Sequence, residues 1–78
     1  MPLKDRITLT ESGFLFDHTS GVTFTLNHTG SFIMQELLDE KDPELILADV
    51  LRKYEIEERE ARFEIEQFVT QIKKYSLL

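Results

Sequence analysis

The stretch Val22-Thr23-Phe24-Thr25-Leu26-Asn27-His28-Thr29-Gly30-Ser31-Phe32-Ile33 changes its hydrophobic period part-way along. Through Leu26 the period is two. Val22, Phe24 and Leu26 fall on one side and Thr23 and Thr25 on the other, as in a strand with one face on a core. From Asn27 onward the pattern is helical. Asn27 is a favourable N-cap for the orphan amides near Thr29 and Gly30, and Ile33 and Leu37 recur at four-residue spacing. The switch divides the chain into a strand half and a helical half.

Upstream, Ile7 and Leu9 alternate with Thr8 and Thr10, which suits a first strand. Ser12-Gly13 reads as a tight turn. Phe14, Leu15 and Phe16 form a second strand, and Asp17-His18-Thr19-Ser20-Gly21 carries the turn chemistry for a further reversal. Three short strands joined by short turns predict an antiparallel meander. Downstream, Asp42-Pro43-Glu44 is a helix start: Asp42 can cap, Pro43 fits the first turn, and Glu44 complements the dipole. Ile46, Leu47, Val50, Leu51 and Tyr54 continue that helix. A third helix is expected from Glu57 or Glu58 to about Lys74, with Ala61, Ile65, Phe68, Val69 and Ile72 as its apolar stripe. The terminal Leu77 and Leu78 are expected to fold back on the core. The expected fold class is α+β and winged-helix-like, a three-stranded antiparallel β-meander followed by three α-helices.

The whole chain is 78 residues and 9.2 kDa, which fits a single domain over 1–78, since domains hold about 50 to 250 residues. At this size folding buries only about 60% of the surface of the unfolded chain, so the core is marginal. With no cysteine, disulfides and thiolate metal sites are unavailable as supports, and a reducing cytoplasmic setting fits. The formal charge of −6 repels nucleic-acid phosphates. Between Glu36 and Glu66, 12 acidic residues face 5 basic ones, so the second and third helices form the acidic side. A groove-reading helix of a DNA-binding winged-helix protein carries the opposite charge. The start of the chain lacks the apolar run of a signal peptide, and no stretch approaches the roughly 18 apolar residues of a membrane span.

Catalytic chemistry is thinly supplied. His18 and His28 lie beside polar turn residues and read as solvated or capping groups. Two histidines without cysteine make a poor zinc ligand set. Adjacent acids such as Asp39-Glu40 and Glu57-Glu58 read as solvated surface. Gly13, Gly21 and Gly30 are too widely spaced for a phosphate or dinucleotide loop. No enzyme activity, metal or cofactor is expected.

What remains is recognition through backbone and apolar surface. A three-stranded meander has two edge strands, and an edge presents unpaired N–H and C=O groups. The third strand, Val22 to Leu26, contains neither proline nor charge to guard it. Either a neighbouring helix or a second copy of the chain covers it, or it takes an extended peptide by strand addition. On the third helix Phe63 falls opposite Ile65 and Phe68, off the core stripe. Glu60, Glu64, Gln67 and Gln71 lie on the flank between those faces, where they are placed to contact a ligand.

Read from Gly13 to Ile33, the glycine, short apolar strand, Asp17-to-Gly21 turn and Leu26-Asn27-His28-Thr29-Gly30 helix start together resemble the PqqD family. The later pattern, from Asp42 to Ile46, then Val50, Tyr54, Ile56, Glu64-Ile65, Phe68-Val69, Ile72 and Leu77-Leu78, is similar as well. The likeness spans roughly residues 6 to 78. The chain departs from the family at Ser31, where alanine is usual, at Met34, where an aromatic is common, and at Glu40 and Ser76, where glycine is frequent. The resemblance implies a RiPP recognition element, a non-catalytic peptide chaperone. Such a module binds the leader of a ribosomally made precursor peptide and presents it to a modifying enzyme, often a radical SAM protein, in PQQ-type or related biosynthesis. By the same resemblance Val22, Thr23, Phe24, Thr25 and Leu26 supply the pairing strand, and Glu64, Gln67, Phe68 and Gln71 are groove contacts. A lasso-peptide module with a protease partner and a dimerisation or regulatory domain without a peptide ligand are the alternatives.

Overall fold

The computed structural model describes residues 3–75, so the expectation for Leu77 and Leu78 lies outside the described residues. The elements run α1 (Leu3–Arg6), β1 (Ile7–Leu9), β2 (Phe14–Asp17), β3 (Thr23–Thr25), α2 (His28–Leu38), α3 (Pro43–Tyr54) and α4 (Glu58–Lys74). This is the α+β arrangement expected, a three-stranded antiparallel sheet in the order β1-β2-β3 followed by three helices. The single turn α1 is an addition, too short to leave a periodic signal in the sequence. One face of the sheet packs on the helices through Ile7, Leu15, Ile33, Met34, Ile46, Val50, Ala61, Phe68 and Ile72, all buried in one cluster.

The second strand turns its aromatics outward. Leu15 and Asp17 are buried while Phe14 and Phe16 are exposed. Asp17 faces the core side because its carboxylate is a hub. It accepts from Arg6 Nε and Arg6 Nη2, each at 3.2 Å, from the Thr19 amide at 2.9 Å and from the Ser20 hydroxyl at 3.1 Å. These bonds clamp the β2–β3 turn to the start of β1. The Arg6 guanidinium and then the Thr19 and Ser20 donors hold the Asp17 carboxyl well below the usual carboxylate range, against the opposing effect of burial. A carboxyl depressed in the fold contributes stability above its unfolded value, near pH ~4, and loses it as pH falls toward its native value. Urea midpoints of wild type and Asp17→Asn are therefore expected to differ by a constant amount above about pH 5 and to converge below about pH 4. Parallel curves down to low pH would count against the hub.

Asn27 caps α2 as expected, its side-chain oxygen accepting from the Gly30 amide at 2.7 Å. Asp42 does not cap α3 with its side chain. The Leu45 amide that its carboxylate would take is satisfied at 3.0 Å by the Asp42 carbonyl, which also receives Ile46. The far end of α2 closes with Lys41 N donating to Glu36 O and Glu40 N to Leu37 O, the paired bonds of a Schellman turn. That turn places Glu40 in the left-handed region, φ 58°, where a Cβ is unfavourable and glycine is preferred. Glu40→Gly is accordingly expected to raise stability by about 0.5–1 kcal/mol in urea unfolding. An unchanged midpoint would argue against the left-handed turn.

Glu36, one of the acids counted toward the polar surface, is buried under this turn. Lys41 Nζ bridges it at 2.6 Å to Asp49 at 3.0 Å, and Arg52 completes the cluster on Asp49. Burial, and then the adjacent Asp49 carboxyl, push the Glu36 carboxyl up, while hydrogen bonding to Glu36 and Lys41 holds Asp49 down. Together with the Tyr54 hydroxyl donating to the His28 carbonyl at 3.2 Å, the cluster fixes α3 against α2.

Candidate functional site

The register of the sheet decides which backbone groups of β3 are free. Leu15 pairs with Phe24, and the flanking bonds run from Asp17 N to Val22 O and from Leu26 N to Gly13 O. Hydrogen-bonded pairs alternate along an antiparallel ladder, so the main chain of Val22, Phe24 and Leu26 is turned toward β2. Thr23 and Thr25 therefore direct their N–H and C=O groups outward along the open edge. Val22 lies beyond the strand, 46% exposed, and its amide donates to Ser20 Oγ.

Gly13 makes the close approach to Leu26 possible. Its φ of +92° is left-handed, and a Cβ there would stand 2.7 Å from the Leu26 carbonyl oxygen. Only glycine lets the β1–β2 turn lie flat against the end of β3.

Beside the edge runs a groove between β3 and α4. Its wider part, about 290 Å³, is lined by Thr25, Leu26, Asn27 and Thr29 on one side and by Glu64, Gln67, Phe68 and Gln71 on the other. The narrower part, about 200 Å³, continues past Phe24, Ile72 and Tyr75. The floor is shared, with Leu26 and Phe68 lining both parts. Thr25, Leu26, Phe24, Glu64, Gln67, Phe68 and Gln71 are thus brought together around one cleft, and Thr23 lies on the same edge. Phe68 is both core and groove: buried in the main cluster, it also forms the groove wall. Phe24 is half-buried rather than fully in the core, its ring 4.9 Å from that of Tyr75.

Tyr75 was not among the expected contacts, although it follows Phe68 by seven residues and Gln71 by four, the spacing of one helix face. Asn27 was read only as a cap, and it lines the cleft too. Gly30 lets α2 start close to α4, since a Cβ there would meet Phe68 Cε1 at 3.2 Å. The histidines stand apart from the groove. His18 Nε2 bonds Thr8 Oγ1 at 2.6 Å on the outer face of the sheet, and His28 is exposed at the start of α2. Phe63 is 58% exposed, off the core stripe as its position on the helix predicts. Among the described residues no group of three or more histidine, cysteine or acidic side chains converges to hold a metal ion. Nor is any described helix long and apolar enough to cross a membrane.

A family model described as Coenzyme PQQ synthesis protein D (PqqD) matches residues 12–78. The chain belongs to the PqqD family. Among solved structures, this PqqD-family domain is similar to a lasso peptide synthetase B1 complexed with the leader peptide. The two are 33% identical, with a TM-score of 0.74 over 88% of this chain and 82% of the other. It is also similar in fold to TbiB1 in complex with the TbiA(beta) leader peptide, at 22% identity and a TM-score of 0.84 over 100% of this chain and 94% of the other. The comparison with curated proteins found no match.

Proposed function

We propose that this PqqD-family domain is a non-catalytic binding module that captures the leader of a ribosomally made precursor peptide and presents it to a separate modifying enzyme in the cytoplasm. The observation that carries this reading is one juxtaposition. The outward main-chain groups of Thr23 and Thr25 lie directly beside an apolar-floored cleft walled by α4. Strand addition needs both parts, since main-chain bonds supply affinity and adjacent pockets select alternate side chains. The 33% identity to a lasso peptide synthetase B1 complexed with the leader peptide supports a lasso-type precursor. In that reading the partner enzyme is a protease. The PQQ-type reading rests on the description of the family alone, and a radical SAM partner on the sequence resemblance.

The test is a titration of the intact protein with a synthetic peptide encoded by a short reading frame beside its gene, followed by backbone amide shifts. Saturable shifts at Thr23, Thr25 and along Glu64 to Gln71 are the expected result. Shifts confined to other surfaces would reject the site. A tight dimer paired through β3 and indifferent to the peptide would reject the function.

A further inference from the structure

The groove is chemically uneven along its length. Between Phe24, Ile72 and Tyr75 most of the lining side chains are apolar, whereas the part toward Asn27 and Thr29 is edged by Glu64, Gln67 and Gln71. Glu64 is the one charged side chain among the residues lining either part. It is half-buried, and among the described residues no cation pairs with it: nearby Arg62 bonds Glu58 and approaches Glu44 instead. Glu57 and Glu60 precede Glu64 by seven and four residues, on the same side of the helix, and deepen the negative potential at that end. Toward the Tyr75 end the bases on α4 are Lys73 and Lys74, in its last turn.

A ligand seated in this groove takes water from the Glu64 carboxylate. Covering an unpaired carboxylate with a neutral side chain is unfavourable, and a ligand that brings a cation offsets the loss. We infer that Glu64 is a specificity-determining residue selecting leaders that carry a lysine or arginine at the Asn27 end of the groove, the apolar anchor occupying the Tyr75 end. The inference rests on the reading that the groove captures an extended leader. Ile72 and Tyr75 follow Glu64 by eight and eleven residues, about 12–16 Å along the helix, and an added strand advances roughly 6.7 Å for each pair of residues on one face. The cation therefore falls about four residues from the anchor on the groove-facing side.

The test is selection of a phage-displayed library of random linear peptides on the intact wild type, on Glu64→Gln and on Glu64→Lys. Binders are then synthesised and checked by amide shifts at Thr23 and Thr25. Wild type is expected to enrich lysine or arginine at one fixed spacing from an apolar residue. Glu64→Gln should lose that preference and bind the wild-type winners about fivefold more weakly, and Glu64→Lys should favour aspartate or glutamate instead. Binders that shift Thr23 and Thr25 yet show no cation preference, or keep it in Glu64→Gln, would overturn the role of Glu64 and leave leader capture standing. Pools in which no binder perturbs the β3 amides would overturn both.

Discussion

Thr25→Pro is expected to weaken leader binding at least tenfold while leaving the fold nearly intact. The register assigns the Thr25 N–H to the open edge, so proline there deletes no bond of the native sheet. What it deletes is a donor to the incoming strand. One lost main-chain bond, with the ligand carbonyl left unpaired, is worth about 1.5–3 kcal/mol, roughly one to two orders of magnitude in affinity. Thr23→Pro should act the same way, and Thr23→Val, which keeps the N–H, should bind like wild type. Phe24→Pro supplies the contrast. Its N–H faces Leu15, so that variant should lose the β2–β3 ladder and unfold at much lower urea. Calorimetric titration with circular dichroism on all four variants checks the pattern. If both threonine-to-proline variants bind normally, strand addition at β3 is wrong.

That contrast is partly legible in the sequence. The alternation from Val22 to Leu26 fixes which side chains share a face, and the chain order makes β3 an edge. The hydrogen-bonding phase is a different matter, because it depends on how the Asp17-to-Gly21 turn and Gly13 position β3 against β2. The helical flank of Glu64, Gln67 and Gln71 was readable from 100° steps alone, whereas their distance from Thr25 follows from how α4 packs under the sheet. Elsewhere the sequence misled for identifiable reasons. Phe14-Leu15-Phe16 is apolar throughout, so hydrophobicity cannot say which face is buried, and the fold buries the single leucine and exposes both rings. Asp17 has the identity of a turn residue and acts as one, but its four hydrogen bonds also draw it into the interior. Glu40 occupies a glycine-type conformation without a glycine to mark it.

Phe68→Ala is expected to be the most destabilising single change in the groove, costing about 3–5 kcal/mol. Small domains have total stabilities of only about 5–15 kcal/mol, so much of the protein would be unfolded at modest urea. The ring is 8% exposed, belongs to the core cluster and lines both parts of the groove, so its loss opens the floor from the inside. Truncation therefore cannot separate stability from recognition at this position. Phe68→Leu separates them better, since it keeps most of the apolar volume at a cost of about 1–2 kcal/mol. The ring also explains why residue 30, in the first turn of α2, is glycine. In wild type, Gly30→Ala brings a methyl to 3.2 Å from Phe68 Cε1 and 3.0 Å from the capping oxygen of Asn27, so the ring must give way. In a Phe68→Leu background that half of the conflict disappears, and the better helix propensity of alanine, worth about 1 kcal/mol, acts against the cap contact alone. The two substitutions should therefore be non-additive by at least about 0.5 kcal/mol, the double variant being more stable than the sum of the singles. Additive urea midpoints would mean that Gly30 and Phe68 do not compete for one space, and that the groove floor is not set by their contact.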